Sequence, residues 1–185
     1  MLQGGIALAS SMIKTLITEE ELQKRIKELG QEISRDYKDK NEPIILISIL
    51  KGALPFTADL MRAIDVPVQL EVLVASSYGA GTSTSGRVEF KYKSFGDLEG
   101  CHVILVDDII DSGYTLEAIG RTIGDYNPLS VAYCTCLSNV GRRESDIQVN
   151  YNGFDIPNKF VIGYGLDYNQ KYRELPFIGY LDRGE

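Results

Sequence analysis

Residues 103–115 read VILVDDIIDSGYT. Four branched apolar residues run straight into Asp107 and Asp108. Asp111 follows, and Ser112, Gly113, Tyr114 and Thr115 come directly behind it. A strand buried on both faces is apolar throughout rather than alternating, and CHVILVD (101–107) has that character. Leu116, Ile119, Ile123 and Tyr126 then recur at helical spacing until Asn127-Pro128 stops the run. The stretch therefore reads as the carboxyl end of a strand crossing to a helix N-terminus, where open α/β sheets bind their ligands. Successive N–H groups of residues 112–115, with two hydroxyls, can meet one phosphate there, assisted by the helix dipole. Asp107 and Asp108 repel a phosphate but suit a neighbouring vicinal diol, whose hydroxyls donate to carboxylates. A phosphate beside a diol describes a ribose 5-phosphate.

Three other readings compete. Asp107-Asp108-Ile109-Ile110-Asp111 matches D-D-x-x-D, a magnesium-holding motif of prenyl diphosphate synthases, but that motif needs a long helix with i and i+4 on one face. Here strand-like VILV precedes it and Ser112-Gly113 interrupts it. Gly81 to Gly86 has the glycine spacing of a Walker loop, yet Arg87-Val88 follows where Lys and Ser/Thr are needed, and a strand pattern comes next. Simple helix capping accounts for Asp111 or Ser112 and leaves the adjacent pair unexplained. No G-x-G-x-x-G follows a strand, so a dinucleotide site has no support.

Outward from this stretch the chain alternates strand and helix. Thr18-Glu19-Glu20-Glu21 is a capping box opening a helix marked by Leu22, Ile26, Leu29, Ile33 and Tyr37. PIILISIL (43–50), VQLEVLVAS (68–76), RVEFKYK (87–93), SVAYCTCL (130–137), DIQVNY (146–151) and KFVIGYG (159–165) read as strands, and the segment around Phe56 to Ile64 as a helix. SSYGAGTSTSG (76–86) reads as a mobile loop. The expectation is one α/β domain over residues 1–185, a largely parallel sheet covered by helices on both faces, with residues 1–14 a flexible tail.

The 185 residues are 44% hydrophobic and 24% charged, with a net charge of −7 that argues against a nucleic-acid-binding surface. No stretch approaches the roughly 20 apolar residues of a membrane span, and the opening MLQGGIALASSMIK lacks a charged secretory start. Three cysteines without paired spacing point to a reduced, cytoplasmic protein, with Cys134 and Cys136 packing in the core. His102 is the one histidine, so His-based triads and metal clusters have little to build on.

VILVDDIIDSGYT closely resembles the phosphoribosyl pyrophosphate signature of the type I phosphoribosyltransferases. ILKGALPFTADL (49–60), SSYG (76–79) and NGFDIPNKFVIGYGLDYNQKYRELPFIGYL (152–181) narrow the likeness to the hypoxanthine-guanine phosphoribosyltransferases, over about Thr15 to Leu181. That resemblance implies purine salvage: the phosphoribosyl group passes to hypoxanthine or guanine, giving IMP or GMP and pyrophosphate. It implies the type I fold with a small hood built from the chain ends, magnesium as cofactor, and a homodimer or homotetramer. Asp111 would face purine N7 as general acid/base, and Ser77-Tyr78 would close over the reacting centre. Lys51, Gly52, Ser112, Gly113, Tyr114, Thr115 and Arg173 would hold phosphoribosyl pyrophosphate. A non-proline cis peptide is implied at the junction where Lys51-Gly52 follows the strand. Asp107, Asp108 and Asp167 would serve diol and metal, Phe160 would stack on the base, and the backbone of Val161 would read its N1 edge. Relatives typically carry a lysine donating to purine O6 where this chain has Asn139, which predicts weaker selection of 6-oxopurines or a shift toward xanthine, with Lys159 a possible substitute. The rival reading is a non-catalytic nucleotide sensor on the same fold. It would call for an added DNA-binding module or a basic face, and the chain shows neither.

Overall fold

The computed structural model describes residues 13–75 and 90–181. The first twelve residues of the expected tail, the 76–86 loop with Ser77 and Tyr78, and the start of RVEFKYK lie outside the described residues. Strands β1 (Ile13–Ile17), β2 (Ile44–Ile49), β3 (Gln69–Ala75), β4 (Phe90–Lys93), β5 (His102–Ile110), β6 (Ser130–Asn139), β7 (Tyr151–Ile156), β8 (Val161–Ile162) and β9 (Ile178–Leu181) form two sheets. The larger has the order β4-β3-β2-β5-β6-β7, parallel except where β4 pairs antiparallel with β3. The smaller, β1-β9-β8, is antiparallel and draws its strands from both ends of the chain, as a hood should.

Helices α1 (Glu19–Tyr37), α2 (Leu54–Ala63) and α3 (Tyr114–Gly124) cover the larger sheet. Side chains along each central strand pack alternately on its two faces and so divide the core. In β2, Ile44 and Leu46 join α1 and α2 in one cluster, while Ile45, Ile47 and Ile49 join α3 in the other. In β5, Ile104 and Val106 belong to the first cluster, Val103 and Leu105 to the second. Each such side chain stabilises the fold by about 1.5–3 kcal/mol relative to exposure, and the buried hydroxyl of Ser48 in β2 is satisfied by Thr57 Oγ1 at 2.8 Å. The capping box is formed: Thr18 Oγ1 accepts the Glu21 N–H at 3.3 Å, and Glu21 accepts the Thr18 N–H at 2.8 Å. On the edge strand β7, Arg25 of α1 donates to the carbonyls of Asn152 (2.8 Å) and Gly153 (3.1 Å).

Several expected boundaries shift. β5 runs three residues beyond Asp107, so both adjacent carboxylates lie on the strand itself, held by pairing with β6 as far as Ile110. DIQVNY is irregular except at its end; the strand is Tyr151–Ile156, because that segment meets β6 in register. KFVIGYG supplies only Val161–Ile162, since Gly163 turns at φ +96° to bridge Leu166. Ile13 and Lys14 belong to β1, paired with Leu181 and Tyr180, rather than to a tail. Cys134 and Cys136 are buried in the core and burial pushes both thiols up. His102 is buried too, with Nδ1 2.7 Å from Ser130 Oγ.

Helices α1 and α2 meet at Gly30, where an added Cβ would fall 2.3 Å from the Ala63 carbonyl oxygen. Gly30→Ala is expected to destabilise the protein by about 1–3 kcal/mol through overpacking, outweighing the roughly 1 kcal/mol gain in helix propensity. Thermal denaturation checks this, and a raised Tm would show that the helices separate freely.

Candidate active site

The carboxyl ends of β2, β5 and β6 open onto one cleft, and its floor is the Asp107-Asp108 pair, partly buried at the end of β5. Asp107 Oδ1 accepts the Asp108 N–H at 3.1 Å, and Asp108 Oδ1 accepts the Ile109 N–H at 2.9 Å. Burial, and then the neighbouring Asp108 charge, push the Asp107 carboxyl well above the ordinary carboxylate range. Burial also raises Asp108, against its hydrogen bonds and the Arg173 guanidinium. A ligand that donates two hydroxyls, or a divalent cation, relieves that stress.

Behind Asp108 the backbones crowd together. A Cβ on Gly52 would fall 1.6 Å from Asp108 Oδ2, and one on Gly165, already at φ +99°, 1.9 Å from the Gly52 carbonyl oxygen. Both positions therefore need glycine. The peptide bond ahead of this turn, Leu50–Lys51, is cis, and Lys51 is exposed beside the cleft. The following loop is tightly wound, with Tyr164, Asn169, Gln170 and Tyr172 all at positive φ. Tyr164 Oη donates to Asp59 of α2 at 2.5 Å, which anchors the loop; burial and that carboxylate push the phenol up. The winding brings Arg173 onto Asp167 at 2.6 Å and onto the Gly165 carbonyl at 2.5 Å. Asp167 also accepts the Gln170 N–H at 2.8 Å.

On the phosphate side, Gly113 starts α3 at φ +91° and no side chain caps the helix, so neither Asp111 nor Ser112 spends its oxygen as a cap. The Ser112 carbonyl accepts the N–H groups of Glu144 and Ser145 at 3.0 Å each, which fixes the loop from behind. A depression of about 110 Å³ lies between Asp107, Asp111, Ser112, Gly113 and Thr115, and the Tyr114 and Thr115 side chains are exposed at its rim. An uncapped helix N-terminus over such a hollow is a ready anion site.

On the other side a cleft of about 400 Å³ is lined by Asp111, Asn139, Phe160, Val161 and Asp167, among others. Phe160 is 61% exposed, its ring edge-on to Tyr168 at 5.7 Å. Lys159 also lines the cleft, and its Nζ lies over the Tyr180 ring at 3.9 Å from its centroid. Asn139 ends β6, buried, with Nδ2 donating to Asp111 Oδ1 at 2.9 Å; Arg142 reaches Asp111 Oδ2 at 3.0 Å. Sequence reasoning missed Arg142, which lies in a short 3-10 turn outside every strand and helix pattern. Of the expected residues, Asp107, Asp111, Ser112, Gly113 and Thr115 line the smaller hollow, Asp108, Asp111, Asn139, Phe160, Val161 and Asp167 line the larger cleft, Lys51, Gly52, Tyr114 and Arg173 line neither, and Ser77 and Tyr78 lie outside the described residues. Asp107, Asp108 and Asp167 do not converge as a metal-binding cluster; among the described residues no group of three or more His, Cys, Asp or Glu does.

A strand-end carboxylate pair, an uncapped helix N-terminus and a base-sized cleft meet at the carboxyl edge of the parallel sheet. Residues 3–169 match the model of the phosphoribosyl transferase domain, and the chain belongs to that family. Within it, the chain is 44% identical over 171 residues to hypoxanthine-guanine phosphoribosyltransferase of Mycobacterium tuberculosis, covering 90% of this chain and 85% of the relative. It is 43% identical over 167 residues to hypoxanthine phosphoribosyltransferase of Salmonella typhimurium, covering 90% and 94%. A crystal structure of a hypoxanthine-guanine phosphoribosyltransferase from Bacillus anthracis superposes with a TM-score of 0.84 at 42% identity, covering 91% of this chain and 98% of that one. A Trypanosoma cruzi hypoxanthine phosphoribosyltransferase superposes at 0.85 and 42%, covering 91% and 90%.

The raised Asp107 carboxyl has a consequence for stability. A carboxyl raised in the folded state stabilises the fold below its unfolded pKa of about 3.9, and that contribution is lost as pH rises through the folded value. Asp107→Asn is therefore expected to stabilise the ligand-free protein at neutral pH, by about 2–4 °C in Tm for each kcal/mol of repulsion relieved. The advantage should vanish in acid below the ordinary Asp range. Tm measured against pH for both proteins checks this; a variant less stable at pH 7 would show that the pair is not under electrostatic stress.

Proposed function

We propose that this protein transfers the 5-phosphoribosyl group of phosphoribosyl pyrophosphate to hypoxanthine or guanine, giving IMP or GMP and pyrophosphate in purine salvage. The observation that carries this reading is the carboxylate pair at the end of β5, flanked by an anion-binding helix start on one side and a base-sized cleft on the other. The 5-phosphate sits on the N–H groups of residues 112–115, and Asp107 and Asp108 accept from the ribose hydroxyls. The purine enters as its N7–H tautomer, with Phe160 against its face and the Val161 backbone at N1. Its N9 lone pair forms the bond to the anomeric carbon while the bond to pyrophosphate breaks, the electron pair leaving with pyrophosphate. Asp111, facing N7, takes the proton released there. Arg173 and Lys51, with the backbone at Gly52, stabilise the negative charge on the leaving group. Ser77-Tyr78 closes the centre to water.

Two adjacent carboxylates, with Asp167 nearby, suit a hard divalent cation that takes most of its oxygen ligands from substrate and water. Asp107, Asp108 and Asp167 would each offer a carboxylate to magnesium bound with the substrate, and the ion would supply charge neutralisation for the departing pyrophosphate. A cytoplasmic location, a single domain over residues 1–185 and assembly as a homodimer or homotetramer belong to the same proposal, supported by likeness to the family.

The test is purine-dependent release of pyrophosphate from phosphoribosyl pyrophosphate. Asp111→Asn is expected to bind phosphoribosyl pyrophosphate normally and to lower turnover by roughly 10²–10⁴-fold. Unchanged turnover would remove Asp111 from proton transfer, and no turnover by the native protein with any purine would sink the proposed activity.

A further inference from the structure

Asn139 is 2% exposed, and its Nδ2 is committed to Asp111. A carboxylate accepts and does not donate, so the amide orientation is fixed, with Oδ1 pointing away from Asp111. That oxygen is buried and has no hydrogen-bond partner among the described residues. Asn139 thus faces Asp111 rather than serving as a free donor to a ligand.

Among the described residues four cations lie near this cleft, and three are engaged elsewhere, Arg173 with Asp167 and the Gly165 carbonyl. Lys159 rests on the Tyr180 ring, and Arg143 is turned inward, donating to Ser138 Oγ at 2.8 Å and the Ile147 carbonyl at 3.1 Å. Arg142 remains. Its side chain is 57% exposed, it lines the cleft, and one guanidinium nitrogen meets Asp111 Oδ2. A guanidinium carries five N–H donors in a rigid fork, so contact through one nitrogen leaves others for a ligand. On a 6-oxopurine, N7 and O6 lie side by side on one edge, and an arginine fork spans that edge in nucleic-acid recognition. A cation paired with the carboxylate that faces N7 is therefore beside O6.

Resting on the proposed activity, we infer that Arg142 is the residue that selects 6-oxopurines, donating to O6, and that Asn139 is a positioning residue that holds Asp111. A 6-amino group at the same place would set donor against donor and be rejected. The extended reach of Arg142 from its 3-10 turn replaces a donor at position 139 itself.

The test compares kcat/KM for hypoxanthine, guanine and unsubstituted purine, which lacks the 6-oxo group, on native protein, Arg142→Met and Arg142→Lys. Arg142→Met is expected to lose roughly 10- to 100-fold with both 6-oxopurines, mainly through KM, as befits loss of a charged donor. Unsubstituted purine should lose several-fold less than either 6-oxopurine, Arg142→Lys should recover part of the loss, and phosphoribosyl pyrophosphate affinity by calorimetry should be unaltered. Equal losses with all three bases would mean that Arg142 acts only through Asp111 and would overturn the inference; so would no loss at all. Asn139→Ala should instead lower kcat alike for every purine and shift its pH profile; a change confined to 6-oxopurines would make Asn139 the reader instead. A native protein inactive with every base counts against the activity itself, whereas an active native protein with an indifferent Arg142→Met counts against this inference alone.

Discussion

Two negative charges on consecutive residues at the end of a buried strand oppose folding, and much of the structure around them exists to hold them in place. Val103 to Val106 are fully buried and hydrogen-bonded on both sides, between β2 and β6. The strand cannot bend to separate the carboxylates. Gly52 gives the second of them room on one side, and Gly165 in turn gives room to Gly52. Residues that strain a native state persist where a ligand uses the strain. Here the ligand that relieves it must bring hydroxyl donors or positive charge.

Rigidity at the floor contrasts with exposure at the rim. The strand ends are set by the two core clusters on either face of the sheet, whereas Tyr114, Thr115, Lys51 and Phe160 stand open to solvent. In the proposed reaction, the groups assigned to the ribose are thereby fixed in advance, and those assigned to phosphates and base are exposed. Fixed donors and acceptors at the reacting centre need no reorganisation during the reaction, which is where electrostatic catalysis gains most. The hood, assembled from β1, β8 and β9, places Val161 at the base cleft.

The sequence displayed the floor of the site more clearly than its walls. Apolar strands that end in carboxylates and a glycine carry a local signature, because burial on both faces leaves few polar positions to blur it. The sequence pattern ends β5 three residues short, since Asp107 and Asp108 look like loop residues until pairing with β6 is known. β7 was read too early for a related reason: Ile147 and Val149 alternate like a strand but pack as irregular chain against the α3 side. The winding of residues 163–172 depends on positive φ at tyrosine, asparagine and glutamine, which residue type does not announce. Least legible was the partnership of Asp111. Asn139 and Arg142 reach it across 28 and 31 residues of chain, and no spacing rule links a strand end to a 3-10 turn.

The central claim is that Asp107 and Asp108, held under repulsion in the free protein, are ionised and satisfied by ribose hydroxyls and a divalent cation. The most direct measurement is proton release on binding phosphoribosyl pyrophosphate with magnesium, by calorimetry at mildly acidic pH in buffers of different ionisation enthalpy. Native protein is compared with a variant carrying Asp107→Asn and Asp108→Asn. The native protein should release more protons than the variant, with the difference shrinking toward neutral pH, and should bind more tightly. Equal proton release and equal affinity in the two proteins would contradict the account.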